Sequence, residues 1–123
     1  DAAGKPRAVL FGYACHNTTL GYYKFCGDYA GFAQKYLQED TPGLTAMFIT
    51  GCGADQNPYP RGTEGRVMQH GRSLATAVQA ALETVPKPVR GPLVCAAEEV
   101  IFATGPTSPD RLKASVSGTS ASA

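Results

Sequence analysis

Two unbroken apolar runs organise this chain. Residues 8–15 read "AVLFGYAC", and residues 44–53 read "LTAMFITGCG", apolar until the glycines. A continuous run of this length, rather than an alternating one, is the pattern of a strand covered on both faces, as in a parallel sheet. The spacing predicts strands over 8–15 and 45–51. Between them "GDYAGFAQKYLQED" changes period: Tyr29, Phe32, Ala33, Tyr36 and Leu37 recur at helical spacing, opposite Gln34, Lys35, Gln38 and Glu39. Asp28 is the candidate N-cap of this amphipathic helix, and "TPG" ends it.

After the second run, Pro58 and Pro60 in "ADQNPYPRG" exclude helix or central strand. Thr63 then caps a long helix reaching about Glu83, with Val67, His70, Leu74, Val78, Ala81 and Val85 on one face and Arg66, Gln69 and Arg72 around the polar side. A third strand is expected over Leu93–Ala103; Glu98 and Glu99 in its middle suit an edge better than a centre. The order strand, helix, strand, helix, strand predicts an α/β fold: a partial, mostly parallel sheet with flanking helices, belonging to a larger domain. Residues 1–104 form this unit. Residues 105–123, rich in Pro, Ser and Ala, read as a linker or frayed tail.

Composition narrows the classes of function. The 11 Lys plus Arg against 10 Asp plus Glu give a net charge of +1, with no basic run, so nothing favours nucleic acid or an anionic membrane. No apolar stretch approaches the roughly 20 residues of a transmembrane helix. Without an initiating methionine or a signal peptide, and with a buried strand starting within a few residues of Asp1, the chain reads as a mature product or a piece of a longer one. A three-strand sheet leaves faces and edges that other parts of the protein, or associated chains, are expected to cover. Cys15, Cys26, Cys52 and Cys95 lack CxxC spacing; buried thiols and disulfides both remain open. "NTT" at Asn17 is a glycosylation sequon.

Carboxyl ends of strands are where ligands bind in parallel α/β sheets, so the loops after the two runs are the places to look for chemistry. His16 ends the first, followed by Asn17, Thr18 and Thr19. Two readings of His16 stand side by side: a hydrogen-bonded structural ring, or a metal ligand held through its other nitrogen. The second loop, "TGCGADQNPYP", has glycines that permit tight turns and three polar residues, Asp55, Gln56 and Asn57, able to orient a substrate. It is neither a phosphate-binding nor a nucleophile-elbow motif. Cys52 needs a nearby base to act as a nucleophile, and adjacent Cys15 and His16, if both remain in the strand, point to opposite faces, which counts against their pairing. His70 reads as a packing histidine.

"FGYACHNTT", "GDYAGFAQKYL" and "FITGCGADQNPYP", taken together, resemble part of the amino-terminal catalytic domain of the neutral/alkaline, non-lysosomal ceramidase family, over Arg7 to about Lys113. The resemblance implies a secreted or membrane-exposed, extracellular or periplasmic zinc amidase that cleaves the N-acyl bond of a ceramide-like lipid or another N-acyl amide. It places a zinc ligand on His16. The family's remaining ligands, a second histidine, a glutamate and a tyrosine, fall outside this chain, so these residues hold one ligand of an incomplete site. Under that reading Asp28 is expected to cap its helix or to support the residues around the metal, and Gln56 or Asn57 to orient the carbonyl. One departure is plain: Gln56 stands where the family carries a serine proposed to take part in hydrolysis, and glutamine offers hydrogen bonds but no hydroxyl nucleophile. That substitution is compatible with direct attack by zinc-activated water, with a different substrate, or with lost activity. The competing class is a non-catalytic α/β segment packed in a larger assembly.

Overall fold

The computed structural model describes residues 1–102 together with Ser108, Pro109 and Lys113. The chain divides into two units, Asp1–Pro88 and Val89–Ala123. In the first, four elements follow one another: β1 (Ala8–Tyr13), α1 (Asp28–Asp40), β2 (Thr45–Thr50) and α2 (Glu64–Leu82). The strands pair in parallel, in register from Ala8 opposite Thr45 to Tyr13 opposite Thr50. Parallel strands need a crossover, which α1 supplies, so the α/β reading of the sequence holds.

The register decides which side chains become core. Val9 and Phe11 share a face with Ala46 and Phe48, and α1 covers that face through Ala33 and Leu37. Phe11 and Phe48 meet edge to face at 5.4 Å. The opposite face carries Leu10, Met47 and Ile49, and it is open: Leu10 is 64% and Ile49 57% exposed. Here the structure differs from the two-sided cover that the continuous runs suggest. Both helices lie on one side of the two-stranded sheet, so the second apolar face keeps its composition without a covering layer.

Helix α2 packs mainly on α1. Thr63 caps it as expected, its hydroxyl accepting from Arg66 N at 3.3 Å. The buried stripe is Val67, Gly71 and Ala75, with His70, Leu74 and Val78 half-buried beside it. Ala81 and Val85, expected on the same face, are exposed, because α2 ends at Leu82 and its last turn runs past α1. Small residues in the stripe let the backbones approach. A Cβ added at Gly71 lies 2.4 Å from Phe32 Cβ and 2.9 Å from Tyr29 O. Gly71→Ala is therefore expected to force the helices apart and lower stability by about 2–3 kcal/mol, measured as a lower urea midpoint at unchanged slope. Across the same interface Asp40 accepts from Gln79 at 2.9 Å and from Arg72, whose guanidinium also lies 3.9 Å over the Tyr36 ring. The Gln79 bond, then Arg72, hold the Asp40 carboxyl below the usual carboxylate range.

The third expected strand does not form. Residues 91–102 have no regular secondary structure and are exposed, Glu98 and Glu99 included, while Ala103 lies outside the described residues. The apolar run is real, but a strand also needs a paired edge, and among the described residues the sheet consists of β1 and β2. Most of the tail, 105–123, also lies outside the described residues. No described helix is long and apolar enough to cross a membrane.

Candidate functional site at the carboxyl ends of the strands

The loops leaving β1 and β2 are stitched together by backbone hydrogen bonds. Gly51 N donates to Tyr13 O at 3.1 Å, continuing the strand ladder, and His16 N donates to Gln56 O at 3.0 Å. The second loop turns on Gln56 N to Gly53 O at 3.0 Å. Gly53 is buried against the first loop, where a Cβ falls 2.5 Å from Ala14 C and 2.7 Å from Cys15 N. Only glycine permits that approach without moving backbone. The glycines of "TGCG" thus bring the two loops together, which places the segments carrying His16 and Gln56 side by side.

Asp28 fixes the far end of the first loop. Its carboxylate, 3% exposed, accepts from Thr19 N at 3.1 Å, Leu20 N at 3.0 Å and Tyr29 N at 2.7 Å. The helix N-cap itself is Gly27, and Asp28 is the first helical residue with φ of 51°. The expected N-cap role is therefore displaced by one residue: the side chain turns back to hold loop amides, and an αL conformation, which aspartate tolerates better than most residues, allows it.

His16 is exposed, and its Nε2 lies 3.2 Å from Ala54 O. A carbonyl oxygen only accepts, so Nε2 carries the proton and the neutral ring keeps its lone pair on Nδ1. This is how a ligating histidine is commonly oriented, its second nitrogen tied to a carbonyl. His16 therefore fits one position of a metal shell. Among the described residues no group of three or more His, Cys, Asp or Glu is placed to complete one. The structural and the ligand readings of His16 converge on the same hydrogen bond.

Beside these loops lies a cavity of about 490 Å³, between the strand ends and α2. Gln56 and Asn57 line it; His16 does not. Asn57 Oδ1 accepts from Thr18 Oγ1 at 3.3 Å, which leaves its amide N–H groups as donors. Tyr29 supplies a wall. Its hydroxyl donates to Cys15 O at 2.8 Å, and burial, with smaller contributions from Cys15, raises its pKa well above the ordinary tyrosine range. A folded-state pKa above the unfolded value of about 10 means that the native state holds this proton more tightly. Its stabilisation is complete below pH 10 and declines as pH rises further. Thermal unfolding between pH 8 and 11 is expected to show a steeper alkaline fall for the native protein than for Tyr29→Phe; parallel curves would contradict it.

His70 and Ser73 also line the cavity, one turn apart on α2. His70 is half-buried, as the packing reading expects, and its Nε2 donates to Pro60 O at 2.7 Å. Its position on the cavity wall was not legible, because the wall forms only when the second loop folds back over α2. The one signal was local: Ser73 follows His70 at helical spacing at the margin of the apolar face.

All four cysteines are free, and only Cys15 is buried. Cys26 and Cys52 sit in loops and Cys95 in the exposed run, so the buried-thiol reading holds for Cys15 alone. Both imidazoles bond backbone carbonyls, and among the described residues neither hydrogen-bonds a cysteine. No family model, curated protein or solved structure matches this chain.

Proposed function

We propose that this chain contributes one wall of a zinc-dependent amide hydrolase site, acting on an N-acyl sphingoid lipid or a related N-acyl amide. The observation that carries the reading is His16: an exposed ring at the carboxyl end of a parallel strand, tied through Nε2 to Ala54 O, its Nδ1 lone pair left for a metal. The resemblance of "FGYACHNTT" and "FITGCGADQNPYP" to neutral ceramidases supplies the reaction class. Zinc, when bound, supplies Lewis acidity toward the amide carbonyl and an acidified water. The chain's own residues bind and orient. Gln56 and the free amide of Asn57 offer N–H donors to the carbonyl oxygen, and the adjoining cavity takes the apolar part of the substrate out of water.

Gln56 carries no nucleophile, so the reading needs none from this loop. The remaining ligands come from beyond the described residues, and an extracellular or periplasmic, membrane-facing setting goes with the substrate. The test is hydrolysis of an N-acyl sphingoid substrate by the assembly that contains those ligands, before and after chelation and with zinc restored. Activity lost on chelation and regained with zinc is expected; activity indifferent to chelation rejects the reading. The uncovered face of Leu10, Met47 and Ile49 favours a second reading, a structural segment packed within a larger assembly, and an assembly that binds no zinc would favour it.

A further inference from the structure

We infer that the cavity beside the loops is a binding site for an uncharged amphiphile, and that His70 selects its ligand by accepting a hydrogen bond from a hydroxyl. The ligand class rests on the amide-hydrolase reading; the role of His70 rests on the cavity alone.

The first observation is the lining. It mixes apolar and aromatic groups, Tyr13, Tyr29 and Leu74 among them, with the amides of Gln56 and Asn57 and the side chains of His70 and Ser73. No Asp, Glu, Lys or Arg lines it. A charged ligand entering such a space gives up hydration and finds no counter-charge, whereas a neutral molecule with an apolar body and a few polar groups is matched. A volume of about 490 Å³ suits a ligand of modest size, or the reacting portion of a longer chain.

The second observation gives the cavity a direction. Gln56 and Asn57 bring N–H donors on the loop side. On the α2 side His70 has committed Nε2–H to Pro60 O at 2.7 Å, so its neutral ring has one group left, the acceptor Nδ1. No protein group among the described residues donates to that nitrogen. A ligand carbonyl fits the loop side, and a ligand hydroxyl, which can donate, fits His70. Ser73, one turn further along α2, offers a second hydroxyl partner. An amide bearing a hydroxyl on a neighbouring carbon presents both groups at once. His70 is thus a specificity-determining residue rather than a catalytic one.

The experiment is equilibrium binding to the full chain in the presence of EDTA, so that zinc plays no part. The probes are an N-hexanoyl amino diol and its di-O-methyl analogue, which keeps the shape and the amide but has no hydroxyl to donate. The native chain is expected to prefer the free diol by roughly three- to tenfold, the worth of one net hydrogen bond. His70→Leu removes both the bond to Pro60 O and the acceptor, so the preference falls to unity and the unfolding midpoint drops. His70→Asn loses the Pro60 bond but keeps a short acceptor on the helix, so it lowers the midpoint and retains part of the preference. Equal binding of the two probes by the native chain, no binding of either, or an undiminished preference in His70→Leu overturns the proposal. Failure of zinc-dependent hydrolysis with the preference intact rejects the hydrolase reading and leaves this one standing.

Discussion

Replacing His16 with alanine is expected to remove zinc and amide hydrolysis together while leaving the fold in place. The ring is exposed and its single hydrogen bond, to Ala54 O, lies at the surface, so the cost in stability should stay below about 1 kcal/mol. The cost in metal is of another order, because a catalytic zinc usually has three protein ligands and does not keep its affinity with two. In the assembly that supplies the remaining ligands, elemental analysis of His16→Ala should find zinc near background, and hydrolysis of an N-acyl sphingoid substrate should fall with it. His70→Ala provides the contrast: it removes a half-buried hydrogen bond of 2.7 Å, should cost about 1 kcal/mol and should leave zinc content unchanged. Full zinc occupancy in His16→Ala would reject the ligand assignment.

Asp28→Ala should produce the largest loss of stability of any single substitution considered, about 3–5 kcal/mol. Three backbone N–H groups, on Thr19, Leu20 and Tyr29, converge on this one carboxylate, and Thr19 and Tyr29 are buried where water cannot replace it. Alanine also inherits φ of 51°, a conformation it accepts less readily than aspartate. Asp28→Asn keeps one oxygen and the tolerance of that conformation, and should lose less than half as much. Because the carboxylate holds the loop that begins with His16, the alanine variant should also loosen the site before the protein unfolds. Urea unfolding by two probes measures this, one reporting the helices and one placed on the loop. A loss under about 1 kcal/mol would mean that the loop amides find other partners.

The parts of the fold that are local were legible in the sequence. Unbroken apolar runs marked β1 and β2 to within two residues of their ends, and the 3.6-residue spacing of Tyr29, Ala33 and Leu37 identified the buried side of α1. Thr63 announced the start of α2. What failed depended on partners. The run over 93–102 has the composition of a strand, yet composition does not provide an edge to pair with, and the open face of Leu10 and Ile49 shows the same limit in a strand that does pair. At the site, the positions of His16, Gln56 and Asn57 at strand ends followed from topology. Strand alternation does not apply to Cys15 and His16, because β1 ends at Tyr13; in the loop that follows Cys15 is buried and His16 exposed. The clamp formed by Asp28 on amides eight and nine residues earlier was not legible, because hydrogen bonds of that kind leave no periodicity. Nor was the separation of the two histidines, with His16 in the first loop outside the cavity and His70 of α2 on its wall, since it depends on how the chain turns between Gln56 and Thr63.

Anomalous diffraction at the zinc edge from crystals of the complete assembly puts the account to its most direct test. A single strong peak within coordination distance of His16 Nδ1, with Nε2 still on Ala54 O and the cavity of Gln56 and Asn57 opening beside it, is the expected result. A zinc peak remote from His16, or a ring that turns from Ala54 to bind through Nε2, would contradict it.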